Sequence, residues 1–146
     1  MKTQRKTLLS LLLLALLVCL TACGETEAPD AGTTGPFANA TYTTDTTLGT
    51  GATTIYVEVI VGEHKVTFTI LTDETILADA LTTVGLVDGE VSIYGLYMTV
   101  VNGITADYDV DQSYWSASIN GTYADSGVSY IDVVDGTTYQ LIYTKW

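Results

Sequence analysis

The chain has 146 residues, the length of one domain, and sets 17 acidic side chains against five lysines and arginines, for a net charge of −12. Such an excess of negative charge repels phosphate backbones and excludes nucleic-acid binding as a function class. The two cysteines, Cys19 and Cys23, both lie near the N-terminus, which excludes a disulfide-stapled scaffold or a cysteine zinc cluster in the remainder.

The first 22 residues have the pattern of an export signal. Lys2, Arg5 and Lys6 form a positive n-region, and Thr7 to Leu20 is a leucine-dominated run of 14 residues. That run is shorter than the roughly 20 residues a membrane-spanning helix needs. Leu20-Thr21-Ala22-Cys23 fits a bacterial lipobox, in which small side chains admit a peptidase beside a diacylated cysteine. The expected mature chain is held at the outer face of the cytoplasmic membrane by a lipid on Cys23. Loss of the signal removes three of the five cations and leaves Lys65 and Lys145, 2 against 17 acids, or −15. The lipid therefore anchors the chain without a supporting basic patch.

Residues 23–52, rich in Gly, Thr, Ala and acid, are expected to be a lipidated flexible tether, and residues 53–146 the folded domain. Ile55, Val57, Val59 and Val61 alternate with Thr54, Tyr56, Glu58 and Ile60 in a first strand. After a turn at Gly62-Glu63-His64, Val66, Phe68 and Ile70 mark a second, so the pair predicts a hairpin. The period then changes. Ile76, Leu77, Ala80, Leu81 and Val84 share one helical face, with Asp73 as expected N-cap, Glu74 in the first turn and Gly85 as the stop. This predicts one amphipathic helix of about three turns.

Leu96 to Val101 is the next strand, turned by Asn102-Gly103 into a return over Ile104 to Tyr108. In Ser113 to Ile119, Trp115, Ala117 and Ile119 point one way and Tyr114, Ser116 and Ser118 the other, ending on a second Asn-Gly turn, Asn120-Gly121. Asp135-Gly136 leads into a last strand, Thr137 to Thr144, in which Tyr139, Leu141 and Tyr143 share a face. The predicted class is α+β: a β-grasp-like mixed sheet curled over a single short helix, in the order β-β-α-β-β-β-β.

Three stretches carry a family resemblance. They are Gly95-Leu96-Tyr97-Met98-Thr99-Val100-Val101-Asn102-Gly103-Ile104; Tyr114-Trp115 followed by Gly127-Val128 and Tyr130; and Asp135-Gly136 before a closing strand that ends in Trp146. In order and spacing, residues 53–146 resemble the C-terminal β-domain of the transcobalamin and intrinsic factor family, which recurs in bacterial lipoproteins as the transcobalamin-like domain DUF4430. In the vertebrate carriers that domain is a lid over cobalamin, beside a separate helical barrel for which this chain has no room. The resemblance implies the fold and, more loosely, a corrinoid ligand bound alone or with a partner.

The candidate ligand-binding residues are Tyr97, Asn102, Tyr114, Trp115, Asn120 and Tyr123, gathered around the two Asn-Gly turns. Trp115 serves either as a core anchor or as a stacking platform, and Tyr114 on the opposite face is the better surface candidate. The turns are also rich in tyrosine, at Tyr94, Tyr108 and Tyr130 besides those already named, which suits either recognition or plain strand formation. Asp107, Asp109 and Asp111 alternate as in a calcium loop, but Gln112 and Ser118 stand where an EF-hand needs Gly and Glu, so a solvated acidic turn is favoured. His64, the only histidine, sits between Glu63 and Lys65 as an exposed turn residue rather than a cobalt ligand. With no nucleophile elbow and no glycine-rich phosphate loop, the expected protein is not an enzyme. It is instead a monomeric, membrane-anchored, extracytoplasmic binding lipoprotein, with no firm cofactor and with cobalamin or another corrinoid as the ligand to test. The alternative is a surface module that docks onto another exported or transporter protein.

Overall fold

The computed structural model describes residues 35–146; the signal segment and Cys23 lie outside the described residues. Thr46–Gly49 (β1), Thr53–Val61 (β2) and His64–Thr72 (β3) open the fold, and the helix Leu77–Thr83 (α1) follows. Val87–Ser92 (β4), Gly95–Val101 (β5) and Ile104–Thr105 (β6) come next, then a single helical turn at Tyr108–Asp111. Ser113–Ile119 (β7), Thr122–Tyr123 (β8), a 3-10 turn at Val128–Tyr130 and Thr138–Lys145 (β9) complete the chain.

These strands form two sheets, not the single curled sheet expected. The larger runs β1-β3-β2-β9-β7-β8 and the smaller β4-β5-β6. The predicted hairpin is β2 with β3, antiparallel from Thr53↔Thr72 to Val61↔His64, while β2 also lies parallel to β9, Val57 beside Tyr139 and Val59 beside Leu141. Alternation therefore gathers Ile55, Val57, Val59, Val66, Phe68, Ile70, Tyr139 and Leu141 on one buried face. Each fully buried aliphatic side chain there contributes on the order of 2 kcal/mol.

Helix α1 packs Leu77, Ala78, Ala80 and Leu81 into this core. At seven residues it is too short to stand alone in water, so burial rather than propensity holds it. It has no side-chain cap. Asp73, the expected N-cap, instead accepts from the Ala52 N–H (2.8 Å) and clamps the β1–β2 connection, while the Leu77 N–H donates to the Ile131 carbonyl (2.9 Å). At the other end the Gly85 N–H donates to Thr82 O and the Leu86 N–H to Leu81 O, a Schellman closure sealed by the buried Leu81 and Leu86.

The boundary at residue 52 is also corrected. Among the described residues, folded structure begins well before residue 53. Within the stretch expected to be tether, Phe37 is buried in the core, Tyr42 meets Phe68 edge to face (centroids 5.7 Å apart) and β1 pairs in parallel with β3. The return strand expected at Ile104 to Tyr108 is two residues long, because the chain turns helical at Tyr108.

Candidate functional site

Both Asn-Gly turns form as their chemistry dictates. Asn102 and Gly103 have φ of 52° and 76°, and Asn120 and Gly121 have φ of 49° and 82°, so each closes a two-residue hairpin. The second turn sets up a frayed edge. Ile119 faces Thr122, and the Ala117 carbonyl accepts from the Ala124 N–H (3.0 Å), so the odd-numbered residues of β7 turn their backbone groups toward β8. Pairing ends at that rung. The chain from Asp125 to Gly127 swings away, and Trp115, the next odd-numbered residue, has its backbone N–H and carbonyl on the open edge.

The wedge so created is a cleft of about 260 Å³. β5 borders it with Leu96, Tyr97 and Met98, β7 with Tyr114 to Ala117, and the diverging chain with Tyr123 to Val128. Trp115 is 6% exposed and packs edge to face on Tyr143, with centroids 5.3 Å apart and planes at 77°. Its indole N–H is buried and finds no acceptor among the described residues. A donor left in that state costs about 1–3 kcal/mol, so it marks either stored strain or a place for a ligand acceptor. A larger hollow of about 630 Å³, between the ends of β1, β3 and α1, is lined by Leu48, Asp73, Glu74 and Val84 among others, with no aromatic and no stranded donor. The cleft beside β7 is thus the better candidate.

Of the six nominated residues, Tyr97, Tyr114, Trp115 and Tyr123 meet at this cleft, Tyr97 and Tyr123 half or more exposed. Asn102 and Asn120 do not. Asn102 is buried at 1% exposure, where its Oδ1 accepts from the Tyr42 N–H (2.9 Å) and its Nδ2 donates to the Tyr42 carbonyl (2.8 Å). Asn120 accepts from the Thr138 N–H (3.2 Å) and steadies its own turn against β9. Leu96 and Met98, read in the sequence only as strand residues, also line the cleft, as does Ser126, which carried no signal there.

The three aspartates lie on and just before the helical turn Tyr108–Asp111. Asp107 caps the helical turn, accepting from the Asp109 and Val110 N–H groups at 3.0 and 3.2 Å, and Asp111 pairs with Lys145 (2.5 Å) and with the Ser113 hydroxyl. Among the described residues no three His, Cys, Asp or Glu side chains gather as a metal site. Lys145 first, and Ser113 after it, hold the Asp111 carboxyl down at about 2 from an ordinary 3.8. Because the unfolded chain takes up that proton first, the stabilisation is complete above about pH 4 and is lost as pH falls toward 2. Asp111→Asn is therefore expected to lower the melting temperature slightly at every pH above about 4, where so exposed a pair is largely screened, and to converge with the wild type as pH falls toward 2, which flattens the acid limb. Glu58, held low by Lys65, keeps part of that limb.

A solved structure from Ruminococcus gnavus ATCC 29149, described as a "putative metal binding protein", is 32% identical with a TM-score of 0.61; the match covers 65% of this chain and 99% of that one. Haptocorrin in complex with Cbi is more distant, at 20% identity and a TM-score of 0.49, with 64% of this chain and 25% of that chain covered, so this chain spans a quarter of haptocorrin's length. No curated protein matches the sequence. The family model "Domain of unknown function (DUF4430)" matches residues 73–145, half of the chain, and together with the Ruminococcus structure, matched over nearly its whole length, this shows that the chain belongs to the DUF4430 family.

Proposed function

We propose that this protein is an extracytoplasmic binding module, anchored by a lipid on Cys23 at the outer face of a bacterial cytoplasmic membrane, whose ligand site is the cleft between β5 and the open edge of β7. The carrying observation is that Trp115, whose buried indole N–H has no partner among the described residues, lines a wedge together with Tyr97, Tyr114 and Tyr123. The module is a monomeric binder rather than an enzyme: its one histidine opens β3 in an exposed turn, away from the cleft. The β3-β2-β9-β7 core, with β2 parallel to β9 and one helix across a face, supports a β-grasp reading. The metal binding named for the Ruminococcus relative is the weaker reading, since Asp107 and Asp111 are engaged as a cap and as an ion-pair partner.

Cobalamin or another corrinoid is the ligand to try first, on the sequence resemblance. A space of about 260 Å³ takes a side-chain-sized group and not a macrocycle, so a corrinoid would engage it through one peripheral amide whose carbonyl meets the indole N–H, with the ring resting on Tyr97 or Tyr123. Titration with cobinamide and cobalamin in a Trp146→Phe background, which leaves Trp115 as the only indole of the folded domain, is expected to give saturable fluorescence quenching with matching heat by calorimetry. Tyr123→Ala is expected to weaken it roughly fivefold, the loss of one aromatic contact. No heat with either ligand at high micromolar concentration removes the corrinoid version.

The open β7 edge favours a second reading, a surface module that pairs with an extended segment of another exported protein and takes no small ligand. Loss of a pulled-down protein on Tyr114→Ala, with no heat from any corrinoid, selects it.

A further inference from the structure

The hairpin joining β4 to β5 turns on Ser92-Ile93-Tyr94-Gly95, with Ser92 opposite Gly95. Turn positions normally carry Gly, Asn, Asp, Ser or Pro, which meet water and bend the chain cheaply. Here the two central residues are Ile93 and Tyr94, 86% and 81% exposed, with Val91 at 82% just below them and Tyr130 at 62% beside them. Single exposed apolar residues are ordinary; four gathered at one tip are not.

The tip is also braced. The Tyr94 N–H donates to Ser92 Oγ (3.1 Å), the Tyr130 hydroxyl reaches the Ile93 carbonyl (3.5 Å), and the Leu96 N–H donates to Ser129 Oγ (2.9 Å). Gly95 sits at φ 89°, and a Cβ on it would lie 2.6 Å from that of Ser129, so the hairpin is seated directly on the 3-10 turn. A knob held this way loses little conformational freedom on docking, which is what an anchor residue requires.

Charge decides what receives it. Glu90 and Asp88 follow the tip down β4 and Asp132 lies two residues beyond Tyr130, all exposed. The lysines of the described residues are engaged elsewhere, Lys65 with Glu58 and Lys145 with Asp111. An apolar knob with exposed carboxylates on the strand behind it and no lysine or arginine nearby is repelled by anionic head groups and lacks the basic flank of a membrane-surface anchor. We propose that the β4–β5 tip is a docking knob for a second protein that carries an apolar socket rimmed by lysine or arginine, an interaction distinct from ligand binding in the β7 cleft.

The test places benzoylphenylalanine at position 93 or at position 94 of the full chain in the membranes of its native cells, with irradiation and mass-spectrometric mapping of the adducts. The expected result is one partner protein, cross-linked within an apolar site flanked by Lys or Arg, with yield falling roughly tenfold when the other tip residue is changed to Ser. Yield is also expected to drop in high salt, as attraction between the acidic residues of β4 and the basic rim is screened. Adducts to phospholipid, to a second copy of this chain, or to a protein surface without basic residues overturn the proposal, as does the absence of any adduct from both positions. Ile93→Ser and Tyr94→Ser do not disturb the fold, because neither side chain packs against it, so wild-type melting in both accompanies a valid result.

Discussion

Asn102→Ala is expected to lower the unfolding free energy of the domain by about 2–4 kcal/mol while leaving ligand affinity at the cleft unchanged. The side chain is 1% exposed and grips both backbone groups of Tyr42, and the Asn102 carbonyl accepts from the Thr41 N–H (2.8 Å). Alanine strands the Tyr42 N–H and carbonyl in a partly buried setting, each such loss worth roughly 1–3 kcal/mol, and forces a Cβ-bearing residue without a side-chain acceptor to hold φ 52°. Asn102→Gly separates the two effects, since glycine accepts that φ and recovers only the backbone part. Chemical denaturation measures the sum. An alanine variant that melts like the wild type but binds less ligand returns Asn102 to the binding surface and defeats this account.

Asn102 also shows where local reading stops. Its turn was legible because positive φ at Asn-Gly is a property of two adjacent residues. Its partner was not, because Tyr42 lies 60 positions upstream in a stretch whose apolar residues, Phe37, Tyr42 and Leu48, come singly and with no period. Strand β4 was missed for a related reason. Val87-Asp88-Gly89-Glu90-Val91 has acids and a glycine where a strand signal needs branched residues, and it pairs with β5 through a register shift between Asp88 and Gly89. Gly89 is obligatory there, since a Cβ would stand 2.0 Å from the Tyr97 carbonyl oxygen. Asp73 misled by having the right chemistry for a cap four residues before the helix begins.

At the cleft, alternation placed Trp115 on the buried side with Ala117 and Tyr114 on the other, and that much follows from a period of two. The cleft itself does not. It exists because β8 stops pairing after Ala124, so that β5, β7 and the chain beyond Tyr123 surround one gap, and no run of adjacent residues encodes that meeting. Ser113 and Ser118 are buried on the same strand, and their small side chains let neighbouring elements approach without any periodic apolar signal.

The sharpest discrimination at this site comes from removing one hydrogen. Replacing the Trp115 indole with a benzothiophene of the same shape, in a Trp146→Phe background so that only this position is affected, deletes the Nε1 donor and keeps the packing on Tyr143. Because the donor is buried without a partner, the ligand-free domain is expected to gain about 1–3 kcal/mol of stability. Cobinamide affinity is expected to fall roughly fivefold to tenfold, the value of one neutral hydrogen bond. Trp115→Phe is a poorer probe, since it also opens a cavity, costs about 1–2 kcal/mol of packing and so obscures the gain. Opposite movements of stability and affinity are the mark of a group kept for binding at the expense of the fold. An analogue that destabilises the ligand-free domain, or that gains stability and binds as before, shows that the indole N–H waits for no ligand and removes the observation on which the cleft's assignment rests.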